Sequence, residues 1–178
     1  SATAVSIRIG IVVVARNYLD ILLSDGASKK SGTFYIGVRA SDFQRSELRN
    51  ERSQHLPFEQ ASDKLTVIYA GTLGEAYDIP TLCEAARELI NRGAPIRFIF
   101  AGAGPMAQEV SQLAADYPKS VVFAGPLPAD ELLPYYKVSD VGLCSYAQGS
   151  TVSMPLKVFD YLASGLAIVS SLGGDVKD

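Results

Sequence analysis

Lys157 and Asp160 stand three residues apart in the stretch Ser153-Met154-Pro155-Leu156-Lys157-Val158-Phe159-Asp160-Tyr161-Leu162-Ala163-Ser164-Gly165. If Pro155 opens a helix, that spacing sets an ammonium and a carboxylate on one face of its first turns. Directly upstream lie Gly149, Ser150, Thr151, Val152 and Ser153, a small-residue run with exposed main-chain N–H groups. Amides, the positive end of a helix and a lysine together make a phosphate site. A carboxylate beside it could hold sugar hydroxyls. The plainer reading of the same residues is a helix that buries Val158, Phe159 and Leu162 and leaves its charges in water.

Two glycine-rich turns extend the candidate chemistry. Gly71-Thr72-Leu73-Gly74 follows an apolar run, and no Gly-Lys-Ser/Thr comes after it, so it is not a Walker loop and ATP hydrolysis is disfavoured. Gly102-Ala103-Gly104-Pro105-Met106-Ala107 has the G-x-G-x-x-A form of the dinucleotide fingerprint. NAD binding also needs an acid at the end of the next strand. Here Val121 to Ala124 ends in Gly125-Pro126, and the first carboxylate is Asp130. The turn therefore reads as close packing of strand and helix. His55 is the single histidine, and Cys83 and Cys144 are the two cysteines. That inventory offers no metal cluster, no disulfide framework and no His-assisted nucleophile. Tyr135 and Tyr136 are adjacent on a helical pattern, so one is expected in the core and the other at the surface, rather than both in a base-stacking platform.

The elements that must position these groups alternate strand and helix. Strands are expected at Leu65–Ala70, Ile96–Ala101, Val121–Ala124, Val141–Ser145 and Ala167–Ser171. Between them, Leu82, Ala85, Ala86, Leu89 and Ile90 stripe one helix, with Asp78 as its N-cap and Gly93 as its stop. Met106, Val110, Leu113 and Ala114 stripe a second; Asp130–Val138 and Pro155–Ala163 give two more. This order predicts an α/β fold: a doubly wound, Rossmann-like parallel sheet covered on both faces. Ligands bind such sheets at the carboxyl ends of the strands, where every glycine-rich loop named above falls. Residues 1 to 64 are less regular. Ile7–Val14 and Thr33–Ile36 read as strands, Asn17–Ser24 as a short helix, and Ser41–Asp63 as a polar linker. The expected organisation is a remnant of another domain over 1–40, a linker over 41–64, and a Rossmann-like domain over 65–178 cut short at its C-terminus.

Composition agrees with a packed protein. The 178 residues are 48% hydrophobic and 20% charged, with net charge -3. A dense basic face for nucleic acid is not available. The run Ile9 to Ala15 is too short to cross a bilayer. No secretory leader is evident, so the cytoplasm is the expected compartment.

Taken in order, several segments resemble the C-terminal, nucleotide-sugar-binding half of GT-B retaining glycosyltransferases of the group 1 type. They are Tyr69-Ala70-Gly71-Thr72-Leu73-Gly74, Ala101-Gly102-Ala103-Gly104-Pro105, Val122-Phe123-Ala124-Gly125-Pro126-Leu127, Tyr135 to Leu143, and Met154 to Gly165. Gly37-Val38-Arg39-Ala40-Ser41-Asp42-Phe43 is similar to the family's Gly-Val-Asp-x-x-x-Phe, with Arg39 in place of Asp. The resemblance implies a donor site made of Gly71, Thr72, Gly74, Gly102, Gly104, Leu127, Gly149, Ser150, Thr151, Ser153, Lys157 and Asp160. Asp160 aligns with the second Glu of the family's Glu-x7-Glu motif, which holds the ribose, and Val152 takes the place of the first. Thr72 and, approximately, Tyr77 replace an Arg and a Lys that grip the pyrophosphate. Lys157 resembles the lysine of a Pro-x-Lys subfamily and would supply the lost charge as the catalytic cation. The loop Gly125–Pro128 would receive the base through its backbone.

The implied reaction is transfer of a sugar from a UDP- or GDP-linked donor to a glycan or lipid-linked acceptor, as in bacterial capsule and surface polysaccharide synthesis. Neither metal nor cofactor is called for. The acceptor site, and any peripheral contact with the inner face of the membrane, would belong to a preceding domain, so the chain alone is expected to bind donor weakly and transfer nothing. Two other readings stay open: a sugar-nucleotide epimerase of the same architecture, and a degenerate module kept for protein contacts.

Overall fold

The computed structural model describes residues 63–152 and 154–172, together with Ser24, Leu56, Phe58 and the strands at 11–13 and 31–33. β1 (Ile11–Val13) and β2 (Ser31–Thr33) pair in parallel as a sheet of their own. β2 meets the expected Thr33–Ile36 at Thr33, and residues 34–36 lie outside the described ones. The helix expected at Asn17–Ser24 lies outside the described residues except for Ser24, which is helical. Most of the 41–64 linker lies outside them as well.

The main sheet has five strands: β3 (Leu65–Ala70), β4 (Ile96–Ala101), β5 (Val121–Gly125), β6 (Val141–Cys144) and β7 (Ala167–Ser170). Their order is β5-β4-β3-β6-β7, all parallel. Four helices connect them: α1 (Ile79–Asn91), α2 (Ala107–Asp116), α3 (Ala129–Val138) and α4 (Lys157–Ala163). β3 and β4 are almost continuous apolar runs because both of their faces are covered. Val67, Tyr69, Phe98 and Phe100 pack under α1 and α2 with Cys83, Ala86, Val110 and Leu113. Ile68, Ala70, Ile99 and Ala101 pack on the other face with Tyr136 of α3 and Val158 and Tyr161 of α4. Tyr136 is buried and Tyr135 is half-exposed, the division the sequence predicts.

Local signals explain most boundaries, and three details differ from expectation. A 3-10 turn, Glu75–Tyr77, precedes α1, and Asp78 occupies the N-cap position with φ 48°, donating its N–H to Glu75 without a side-chain cap. α1 turns Ile79, Cys83 and Ala86 inward, so Ala85 and Leu89 of the expected stripe face water. α4 begins at Lys157 rather than Pro155. Pro155 and Leu156 form a turn whose carbonyls accept from Val158 and Phe159. Consequently Val158 and Tyr161 form the buried face of α4, while Leu162 is 59% exposed.

The glycine turns after β3 and β4 interlock through their main chains. Gly71 N–H donates to Ala101, Leu73 N–H to Ala103, Met106 N–H to Leu73, and Gly102 N–H to Gly125. A Cβ on Gly102 would lie 1.8 Å from the Gly71 carbonyl oxygen, and one on Gly104 would lie 2.2 Å from that of Leu73. The G-x-G pair is thus required by the neighbouring backbone, which answers the dinucleotide motif with a packing cause.

Connections run outward from β3 to β4 to β5, then return through α3 to β6 on the other side of β3. The sheet's topological switch therefore lies between β3 and β6. These two strands pair at Val67–Val141 and Ile68–Gly142. Above that point the hydroxyl of Tyr161 stands between them, accepting from Ala70 N–H (3.1 Å) and donating to the Leu143 carbonyl (3.3 Å). Gly142 leaves room for the Tyr161 ring, which a Cβ would meet at 2.4 Å.

Candidate functional site

The carboxyl edge of β3, β4 and β5 carries an open cleft of about 420 Å³. Its floor is main chain, from Ala70-Gly71-Thr72 and Ala101-Gly102-Ala103, and its wall is Pro126, Leu127, Leu132 and Tyr136. Of the residues singled out from the sequence, Gly71, Thr72, Gly102 and Leu127 line it. Gly74 is buried at the head of the 3-10 turn, and Gly104 lies beneath the Leu73 carbonyl, so neither contributes to the lining.

Lys157 reaches the same edge from the other side of Gly71. Its Nζ would stand 2.8 Å from a Cβ on Gly71. The ammonium is buried and has no hydrogen-bond acceptor among the described residues. Around it are the rings of Tyr69 (4.1 Å to the centroid), Tyr77 (5.3 Å) and Tyr146 (5.6 Å). Tyr69 is the penultimate residue of β3, Tyr77 closes the 3-10 turn, and Tyr146 follows β6, so the ammonium occupies the switch point. Burial lowers the Lys157 pKa to about 8, and the polarity of Cys144 beneath it acts weakly in the opposite direction.

Asp160 is one turn along α4 and half-buried. Its carboxyl pKa is raised by burial; the hydroxyl of Tyr136 on the cleft wall is raised by its own burial first and then by the charge of Asp160. Lys157 and Asp160 are not an ion pair. The close spacing in sequence instead sends the cation toward β3 and the acid toward α3.

The loop after β6 forms a second hollow of about 380 Å³. Gly149 and Ser150 line it with Asp78, Tyr146, Gln148 and Ser171. Ser150 N–H donates to Ala147, and the Ser150 hydroxyl accepts from Val152 N–H, which folds the loop tightly. Thr151 is exposed, and Ser153 lies outside the described residues. No cluster able to hold a metal ion exists among the described residues.

The family model for group 1 glycosyl transferases matches residues 64–178, well over half of the chain. The chain belongs to this family. No curated protein matches it in sequence. Solved glycosyltransferases share the fold at low identity. One from Rickettsia africae superposes with a TM-score of 0.76 at 16% identity, covering 94% of this chain and 46% of that one. HepE from Anabaena, solved with UDP-glucose, gives 0.71 at 13% identity, covering 93% and 45%. The C-terminal domain of the group 1 family protein LpcC from Francisella tularensis gives 0.56 at 19% identity, covering 75% and 70%. The chain thus spans under half the length of the first two.

In this glycosyltransferase chain, the residues singled out from the sequence include the buried lysine, the half-buried acid and the glycines that line the cleft floor. The sequence does not reveal Tyr69 and Tyr146 as neighbours of Lys157, or Tyr136 as a cleft wall. Tyr77 was noticed only as a replacement. The available signal was an aromatic residue at the carboxyl end of each strand that flanks the switch point.

Proposed function

We propose that this chain is the donor-binding half of a retaining glycosyltransferase that takes a UDP- or GDP-linked sugar. The base lies against Pro126 and Leu127, the ribose near Asp160, and the diphosphate between the Gly71 turn, the Gly149–Ser153 loop and Lys157. As the glycosidic bond to phosphate breaks, negative charge grows on the departing diphosphate. The Lys157 ammonium, with those loop amides that the fold's own hydrogen bonds do not use, stabilises that charge where it develops. The acceptor, a glycan or lipid-linked glycan of a bacterial surface polysaccharide, binds elsewhere in a longer protein at the inner face of the membrane.

The observation that carries this reading is the buried ammonium of Lys157 at the switch point, directly behind the cleft floor and without a partner among the described residues. A buried cation without a counter-ion is costly unless an anion completes it. Isothermal titration with UDP-glucose and a GDP-sugar tests the proposal. One of them is expected to bind, with affinity lowered roughly tenfold or more by Lys157→Ala and also lowered by Asp160→Asn. Absence of binding by either would favour the degenerate module.

A further inference from the structure

The Lys157 ammonium is held in an unusual way. Buried ammonium groups ordinarily pair with a carboxylate and fill their donors with hydrogen bonds. Here the described groups facing Nζ are Tyr69 from β3, Tyr77 from the 3-10 turn, Tyr146 from the loop after β6, and the Cys144 thiol at the end of β6. None is a carboxylate, and burial raises the Cys144 thiol to about 11 and the Tyr69 hydroxyl well above its ordinary value. Each ring lies within 6 Å of the cation, the range in which an aromatic face attracts a positive charge.

The rings are themselves anchored. The Tyr69 hydroxyl donates to the Thr72 carbonyl at 2.7 Å, tying that ring to the cleft floor. Tyr146 is clamped by Ser171, whose hydroxyl oxygen accepts from the Tyr146 N–H and whose proton goes to the Tyr146 carbonyl. The Tyr77 and Tyr146 rings touch at 5.2 Å between centroids, and Ala147 N–H donates to Ala76, joining the two loops. A carboxylate in this place would neutralise the lysine. Aromatic faces attract it without cancelling its charge.

We propose that Tyr69, Tyr77 and Tyr146 are positioning residues that hold the Lys157 ammonium desolvated, charged and without a counter-ion, so that its full charge is left for an incoming diphosphate. This deepens, and rests on, the donor-site reading above. The requirement at each position is the ring face, not the hydroxyl, of Tyr77 and Tyr146.

Two measurements on the full chain test it. The first is affinity for UDP-glucose and, separately, inorganic pyrophosphate. The second is the titration midpoint of Lys157, followed by its Cε chemical shift in lysine-labelled protein without ligand. Tyr77→Phe and Tyr146→Phe are expected to leave both within about twofold and a few tenths of a pH unit of wild type. Tyr77→Leu and Tyr146→Leu are expected to weaken binding roughly five- to tenfold and to move the midpoint below about 8. Tyr77 is half-exposed, so its leucine variant gives an answer even if the variants at buried Tyr146 do not fold. If wild type binds and Lys157→Ala does not, while the Leu variants bind like wild type or the Phe variants fall as far as the Leu variants, the aromatic box is overturned and the donor site stands. If neither ligand binds wild type, both proposals fall.

Discussion

Lys157 sets a binding requirement against stability. In the unfolded chain its amine keeps an ordinary lysine pKa of about 10.4; in the fold, burial lowers it to about 8. Below pH 8 the folded state carries the full cost of burying the charge. Between there and the ordinary lysine range, the folded chain has released a proton that the unfolded chain still holds, so stability rises with pH. Lys157→Met is therefore expected to stabilise the chain at pH 7 by on the order of 2 kcal/mol. That advantage should fade by about pH 10.5. Thermal melts at the two pH values check the difference, and an equal gain at both would assign it to packing. Asp160 adds a smaller conflict of the same kind, since burial raises its carboxyl. Two side chains that weaken the fold at one sheet edge are what a ligand site predicts.

At the scale of elements, the gap between β3 and β6 is held by one phenol. Tyr161→Phe keeps the ring against Gly142 but leaves Ala70 N–H and the Leu143 carbonyl without their partner. Two buried main-chain groups left unmet are expected to cost about 1–3 kcal/mol, read from the urea midpoint with an unchanged slope. The strands were the most legible part of the sequence. β3 and β4 match expectation to the residue because long apolar runs closed by glycine leave little choice. Helix faces were less legible: Ala85 and Leu89 satisfy the same period as Ile79, Cys83 and Ala86, and only docking on the sheet decides between them. The start of α4 was misplaced because proline suits a first helical position and a preceding turn equally well. The tyrosine box left no spacing signature, since its members come from three segments that only the parallel topology brings together.

For the whole molecule, the chain spans less than half the length of the full relatives it superposes on. The polypeptide by itself is expected to bind a sugar nucleotide weakly and to transfer nothing to any acceptor. Product formation by it alone, followed by chromatography of a radiolabelled sugar, would contradict that assignment. The described residues hold no helix long and apolar enough to cross a membrane.

The interlocked glycine turns carry one more implication. Because the cleft floor is built from peptide groups, its shape depends on where the chain runs and hardly at all on which side chains decorate it. Neighbouring side chains can then be exchanged without rebuilding the platform. That tolerance explains how proteins agreeing at fewer than one position in five still superpose on this one.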